Sequence, residues 1–203
     1  MEGWALLYTV SKFIVWVYLK LFRNFEVKGQ EYMPAYGPVI LVANHVSNLD
    51  PPAVGVACPR RVHFMAKHEL FINPVSGWFL RALGAFPVKR NTPDRAAFKQ
   101  ALNILKKGLV LGMFPEGTRN KSGELGPAQQ GAAVLALRTQ AILIPVGVRV
   151  RIKNGKDKGQ VQVRFGPAIP WDDLDPKDRS SAQILANRIM IHIAQLLEDP
   201  TKA

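Results

Sequence analysis

At 203 residues and 48% hydrophobic content, the chain is long and apolar enough for one domain with a full core. Its lone cysteine, Cys58, excludes an internal disulfide and a cysteine-rich metal site, and suits a reducing compartment. The balance of 27 basic against 15 acidic residues, a net +12, suits nucleic acid, anionic lipid or an acidic carrier. The basic residues, however, are scattered from Lys12 to Lys202 and form no nucleic-acid motif.

The first element spans Trp4 to Phe25, rich in aromatic groups (Trp4, Tyr8, Phe13, Trp16, Tyr18, Phe22) and interrupted by Lys12, Lys20 and Arg23. On a helix, Thr9, Lys12, Trp16, Lys20 and Arg23 share one stripe and most other positions are large and apolar. A spanning helix needs about 20 apolar residues with few charges, so a lysine near the middle argues against one. Glu2 stands where a signal peptide would carry basic residues. Tryptophan and tyrosine favour the headgroup boundary, and lysine can reach outward to lipid phosphate. Residues 1–24 are therefore expected to form an interfacial membrane helix. A helix docked on the protein's own core is the competing reading.

The run Pro38-Val39-Ile40-Leu41-Val42-Ala43 reads as a buried strand, and Pro51-Pro52 as the opening of a helix capped by Asp50. Between them, Asn44-His45-Val46-Ser47-Asn48-Leu49-Asp50 places a histidine and a carboxylate five positions apart in a strand-to-helix connection. An imidazole oriented by a carboxylate is what a general base needs. From spacing alone, a structural cap beside an incidental histidine reads equally well.

Further strands are expected at Val62–Ala66, Ala85–Val88, Leu109–Phe114, Ile142–Val150 and Val161–Phe165, the last two joined by a hairpin loop at Asn154–Gly159. His63 and His68 are also five apart, but nothing around them supports zinc. Thr92-Pro93-Asp94 starts a helix, with Thr92 as cap, that carries Phe98, Leu102 and Leu105 and stops at Gly108. A last helix runs from about Ser180 to Leu197, with Leu185, Ile189, Ile193 and Leu196 at helical spacing. Leu70-Phe71-Ile72 and Trp78-Phe79-Leu80 suit core packing better than the lining of an apolar channel. The basic excess at Arg149, Arg151, Lys153, Lys156 and Lys158 reads as a solvated face. The expected fold is a single three-layer α/β/α domain with a mixed sheet, residues 25–203, preceded by the membrane helix.

The strand Leu109–Phe114 runs into Pro115-Glu116-Gly117-Thr118-Arg119, where Gly117 permits a tight turn and Arg119 offers a planar fork suited to phosphate. His-x4-Asp followed by Phe-Pro-Glu-Gly-Thr-Arg resembles the glycerolipid acyltransferase family, most nearly its bacterial 1-acyl-glycerol-3-phosphate branch. Two weaker blocks, Gly84-Ala85-Phe86-Pro87-Val88-Lys89-Arg90 and Ile144-Pro145-Val146, follow the same pattern, so the resemblance covers roughly residues 25 to 165. It implies His45 as general base with Asp50 fixing its tautomer. It also implies Glu116, Gly117, Thr118 and Arg119 as an acceptor loop, with Lys67 and Arg90 as further cations of a phosphate pocket. Relatives often carry an aromatic and a basic residue before a glycine after the acceptor motif. Here that segment is Pro127-Ala128-Gln129-Gln130-Gly131.

The reaction so implied is acylation of the sn-2 hydroxyl of 1-acyl-glycerol-3-phosphate to phosphatidic acid. The substrate hydroxyl can attack directly, so no serine nucleophile is required, and no Gly-x-Ser-x-Gly elbow is present. Ser47 sits inside the His-x4-Asp turn and reads as a brace. The donor is an acyl thioester, on coenzyme A or acyl carrier protein, and both are anionic. No metal or nucleotide cofactor is implied, since neither a dinucleotide fingerprint nor a P-loop occurs. The expected partners are membrane lipids, with no nucleic acid, and the expected place is the cytoplasmic face of the cell membrane, as a peripheral or monotopic protein. The same chemistry on glycerol-3-phosphate or another lysophospholipid shares every motif. A non-catalytic basic protein of membrane surfaces or nucleic acid would have no need of His45.

Overall fold

A computed structural model describes residues 2–89, 92–120, 125–150 and 159–198. The chain order is α1 (Glu2–Arg23), β1 (Glu26–Lys28), β2 (Val39–Ala43), α2 (Asp50–Ala57), β3 (Val62–Lys67), α3 (Pro74–Ala82) and β4 (Phe86–Val88). There follow α4 (Arg95–Lys106), β5 (Val110–Met113), α5 (Gly131–Thr139), β6 (Ile142–Val150), β7 (Val161–Phe165) and α6 (Arg179–Leu197). Short 3₁₀ turns cover Gln30–Tyr32 and His68–Phe71.

Among the described residues the strands form one seven-stranded mixed sheet in the order β1-β7-β6-β2-β5-β3-β4, antiparallel only between β6 and β7. β2 lies at its centre with all five residues buried, as a continuous β-branched run requires. Its side chains alternate between two cores: Ile40 and Val42 face α4, α5 and α6, while Val39, Leu41 and Ala43 face α1 and α2. This is the three-layer α/β/α domain with a mixed sheet expected from the sequence. The antiparallel β6–β7 pairing fits the expected hairpin, whose loop at 154–158 lies outside the described residues.

Several local expectations are corrected. The cap of α4 is Asp94, whose carboxylate accepts from the Ala97 amide, not Thr92. Asp50 begins α2 but caps nothing ahead of it, because its carboxylate turns back onto the preceding loop. β1 escaped notice because Glu26-Val27-Lys28 has no apolar run. It is a strand only through its pairing with β7. α5 is apolar nearly all round, so it carries no stripe to reveal it. Leu70, Ile72, Val75, Trp78 and Phe79 are exposed, whereas core packing was expected for most of that segment.

α1 combines the two readings offered for it. Of its lysines, Lys12 points inward, its Nζ donating to the Cys58 carbonyl (2.6 Å), whereas Lys20 is exposed and its Nζ donates to the Phe25 carbonyl just past the end of the helix (2.8 Å). Leu19 is fully buried, and Arg61 stacks over the Tyr8 ring at 4.7 Å. Lys12 therefore does not reach toward lipid as expected. Helical geometry gives docking and exposure opposite faces, so Trp4, Leu6, Val10, Phe13, Ile14, Leu21 and Phe22 are exposed. The helix is long and apolar enough to cross a membrane, and only 6% of its apolar window is buried.

Candidate active site

Five strands (β6, β2, β5, β3 and β4) run the same way, so the carboxyl ends of β2, β5 and β3 meet at one edge of the sheet. In open α/β sheets that edge, where backbone leaves the ladder, is where sites form. His45 follows β2, Phe114 and Glu116 follow β5, and Lys67 ends β3.

The loop after β2 folds back on itself around one oxygen. Asp50 Oδ2 lies 2.8 Å from His45 Nδ1 and accepts from the backbone amides of Val46 and Ser47, each at 2.7 Å. Ser47 Oγ in turn accepts from the Leu49 amide at 3.2 Å, bracing the turn as expected. His45 and Asp50 are both buried, and the fully buried Asp50 Oδ1 finds no donor among the described residues. With Oδ2 holding Nδ1, the imidazole keeps Nε2 for whatever enters the site. Phe114 stacks on the His45 ring at 4.2 Å between centroids, and Phe64 lies 6.0 Å behind Phe114. Asn44 anchors the base of the loop to β6, donating to the Val148 carbonyl at 2.9 Å and accepting its amide at 2.7 Å.

Glu116 was expected to belong to the acceptor loop. Its carboxylate is instead committed to backbone, taking the His45 amide on Oε1 (2.9 Å) and the Gly126 amide on Oε2 (3.0 Å). The Asn120 amide donates to the His45 carbonyl at 2.8 Å. Glu116 thus ties the loop after β5 to the histidine loop. Gly117 turns the chain at φ +73°, and a Cβ there would fall 2.3 Å from the Gln129 side-chain nitrogen. Thr118 and Arg119 follow on the exposed rim. Arg119 Nη1 donates to Asn48 Oδ1 at 2.7 Å, which holds the guanidinium beside the histidine loop. Sequence reading missed Asn48, whose one signal was its place inside the His-x4-Asp turn.

A cavity of about 530 Å³ has His45, Asn48, Lys67 and Arg119 among its polar lining, with Ser11 and Lys12 of α1. The rest of its wall is mostly apolar: Val15 of α1, Pro51, Pro52 and Val56 of α2, Phe64 of β3 and Leu80 of α3. Phe114 belongs also to a second cavity of about 260 Å³, lined by Lys89, Asp94 and Gln129. The structure therefore brings His45, Asp50, Glu116, Gly117, Arg119 and Lys67 together. Lys67 Nζ lies 3.1 Å from Glu69 Oε1 in an exposed ion pair. Arg90 lies outside the described residues. His63 belongs elsewhere, with Nδ1 3.0 Å from the Gly84 carbonyl, and burial pushes its imidazole below the ordinary histidine value.

The acyltransferase family model matches residues 24–149. A 1-acyl-sn-glycerol-3-phosphate acyltransferase of Streptococcus pneumoniae is 35% identical over 167 residues, 80% of this chain and 61% of that protein. The protein of the same name from Bacillus subtilis is 33% identical over 82% of this chain and 85% of its own length. The crystal structure of the 1-acyl-sn-glycerophosphate acyltransferase of Thermotoga maritima superposes with a TM-score of 0.74 at 26% identity, covering 94% of this chain and 78% of that one.

Proposed function

The chain belongs to the acyltransferase family, and we propose that it moves an acyl group from a thioester to the sn-2 hydroxyl of 1-acyl-glycerol-3-phosphate, giving phosphatidic acid. The observation that carries this reading is the His45 Nδ1–Asp50 Oδ2 contact of 2.8 Å, with His45 in the wall of a largely apolar cavity. Nε2 removes the hydroxyl proton as the oxygen attacks the thioester carbonyl. Asp50 keeps the proton on Nδ1 and stabilises the imidazolium. Collapse of the tetrahedral intermediate breaks the C–S bond, and the imidazolium returns its proton to the leaving thiolate. The scheme calls on no metal or nucleotide cofactor.

Arg119 serves the acceptor phosphate from the rim, with Lys67 beside it, and the apolar wall takes an acyl chain. Gly117 and Thr118 supply the turn that carries Arg119, and Glu116 serves as a brace. Arg90 joins the phosphate pocket on the strength of its sequence block. The donor is acyl coenzyme A or acyl carrier protein, which the basic chain attracts equally. Glycerol-3-phosphate or another lysophospholipid is the second reading, favoured by Gln129 and Gln130 standing where a basic residue is common in relatives.

α1 seats the protein at the cytoplasmic face of the membrane, where lysolipid resides. A helix fastened through Lys12 to the domain is not surrounded by lipid, so it lies in the interface and does not cross. Purified protein given labelled acyl thioesters and a panel of acceptors tests the whole reading. Phosphatidic acid should form from lysophosphatidic acid, and His45→Ala should remove most of that turnover. Failure to acylate any glycerolipid acceptor would refute the proposal.

A further inference from the structure

The segment from His68 to Ala82 carries a second exposed apolar surface, separate in sequence from α1. Leu70, Ile72, Val75, Trp78 and Phe79 are between 41% and 76% exposed, which is unusual for large apolar groups so close together. The shape is held from below: Phe71 is buried under Arg81, whose guanidinium lies 5.2 Å over its ring, and the Asn73 side chain caps α3 by accepting the Val75 and Ser76 amides. The patch is thus a rigid surface, its apolar groups turned outward by a capped helix.

We propose that this segment is a second bilayer contact, and that the cavity opens into lipid between it and α1. Two observations select lipid as the occupant. The patch adjoins α1: Arg61 stacks on Tyr8 and donates to the Ala82 carbonyl at the end of α3, so one side chain joins both elements. The two together flank one opening, with Tyr8 and Ser11 lining it from α1 and Leu70, Phe79 and Leu80 from the other side. The charged groups at the patch are Lys67, Glu69 and Arg81, a basic excess that suits anionic headgroups around an apolar centre. An indole at its edge, Trp78, suits the headgroup boundary. The inference rests on the acyltransferase reading for its purpose: a lysolipid would pass sideways from the leaflet to His45 without its chain entering water.

Trp78 is a natural probe, since the chain has four tryptophans. A protein with Trp4→Phe, Trp16→Phe and Trp171→Phe reports from Trp78 alone, and a second with only Trp16 retained reports from α1. On vesicles of phosphatidylglycerol and brominated phosphatidylcholine, both emissions should shift to the blue and be quenched. Quenching of Trp16 without Trp78 would overturn the proposal, as would quenching of neither. In the otherwise native chain, Ile72→Asp with Val75→Asp should lower acylation of vesicle-held lysolipid by roughly tenfold or more, since two apolar side chains are lost and burial of one alone is worth about that. Activity on a dispersed short-chain acceptor and the melting temperature should be unchanged. Equal losses on both acceptors would also overturn it. A wild-type protein inactive on every acceptor would refute the reaction instead, with Trp78 quenching still deciding the membrane contact.

Discussion

One oxygen, Asp50 Oδ2, organises the histidine loop by receiving three N–H donors. His45→Ala leaves two of those donors in place, so the fold should survive while turnover falls by about 10²–10⁴-fold, the usual contribution of a positioned base. Steady-state rates beside a circular-dichroism melt separate the two effects. Asp50→Asn is expected to behave differently. Its amide oxygen can take the three donors only by turning the NH₂ into the buried place of Oδ1, which finds no partner among the described residues. An unpaired buried donor costs about 1–3 kcal/mol, so this variant should lose both stability and rate. Asn48 acts through Arg119. Asn48→Ala frees the guanidinium, and KM for a phosphate-bearing acceptor should rise severalfold with kcat little changed. A neutral acceptor should show no such change, and an equal loss on both would assign Asn48 to the loop fold.

The site also depends on how whole elements are spaced. Gly112 pairs with Leu41 of β2 on one side and Phe64 of β3 on the other. A Cβ there would fall 2.3 Å from the Phe64 ring, so the missing side chain lets that ring lie toward Phe114 and thence His45. Gly112→Ala should cost about 1–3 kcal/mol by overpacking, and Phe64→Leu should recover part of it. Additive losses in denaturant melts would mean the two positions are not coupled. At the other end of the chain, Arg188 of α6 forms a fork with both carboxylate oxygens of Asp173, at 2.8 Å each. That hydrogen-bonded guanidinium holds the Asp173 carboxyl at about 2, against an ordinary 3.8. A carboxyl depressed in the folded state stabilises fully above its unfolded value and loses that contribution as pH falls toward 2. Wild type should therefore melt slightly above Asp173→Asn from about pH 5 upward, the two converging near pH 2. The pair is exposed, so the gap should be small.

For the molecule as a whole, α1 does two jobs on opposite faces. Its inner face supplies Leu19 to the core and Tyr8, Ser11, Lys12 and Val15 to the cavity wall. Deleting it should therefore lower stability as well as membrane affinity. Substitutions on the outer face isolate the second effect. Leu6→Asp with Phe13→Asp, both well over half exposed, should release the protein from anionic vesicles and leave the melting temperature unchanged. Salt should weaken binding of the native chain in the same co-sedimentation assay, given a net charge of +12. Binding that survives both changes would remove α1 as the anchor.

The parts readable from the sequence alone were those encoded by neighbouring residues. The apolar run 39–43, the helical spacing of Leu185, Ile189 and Ile193, and the two motif loops each carry a local period or turn chemistry. The proximity of His45 and Asp50 belongs to the same kind, being five residues of one turn. Contacts made across the sheet were decided only by the tertiary structure. Glu116 lies 71 positions from His45, and its two oxygens go to backbone amides that nothing near it in sequence reveals. β1 is a strand because β7 offers an edge, and Lys12 of α1 faces inward because the Cys58 carbonyl is there to receive it. A periodic pattern specifies which residues share a face. Which partner that face meets depends on elements far along the chain, and only folding brings them together.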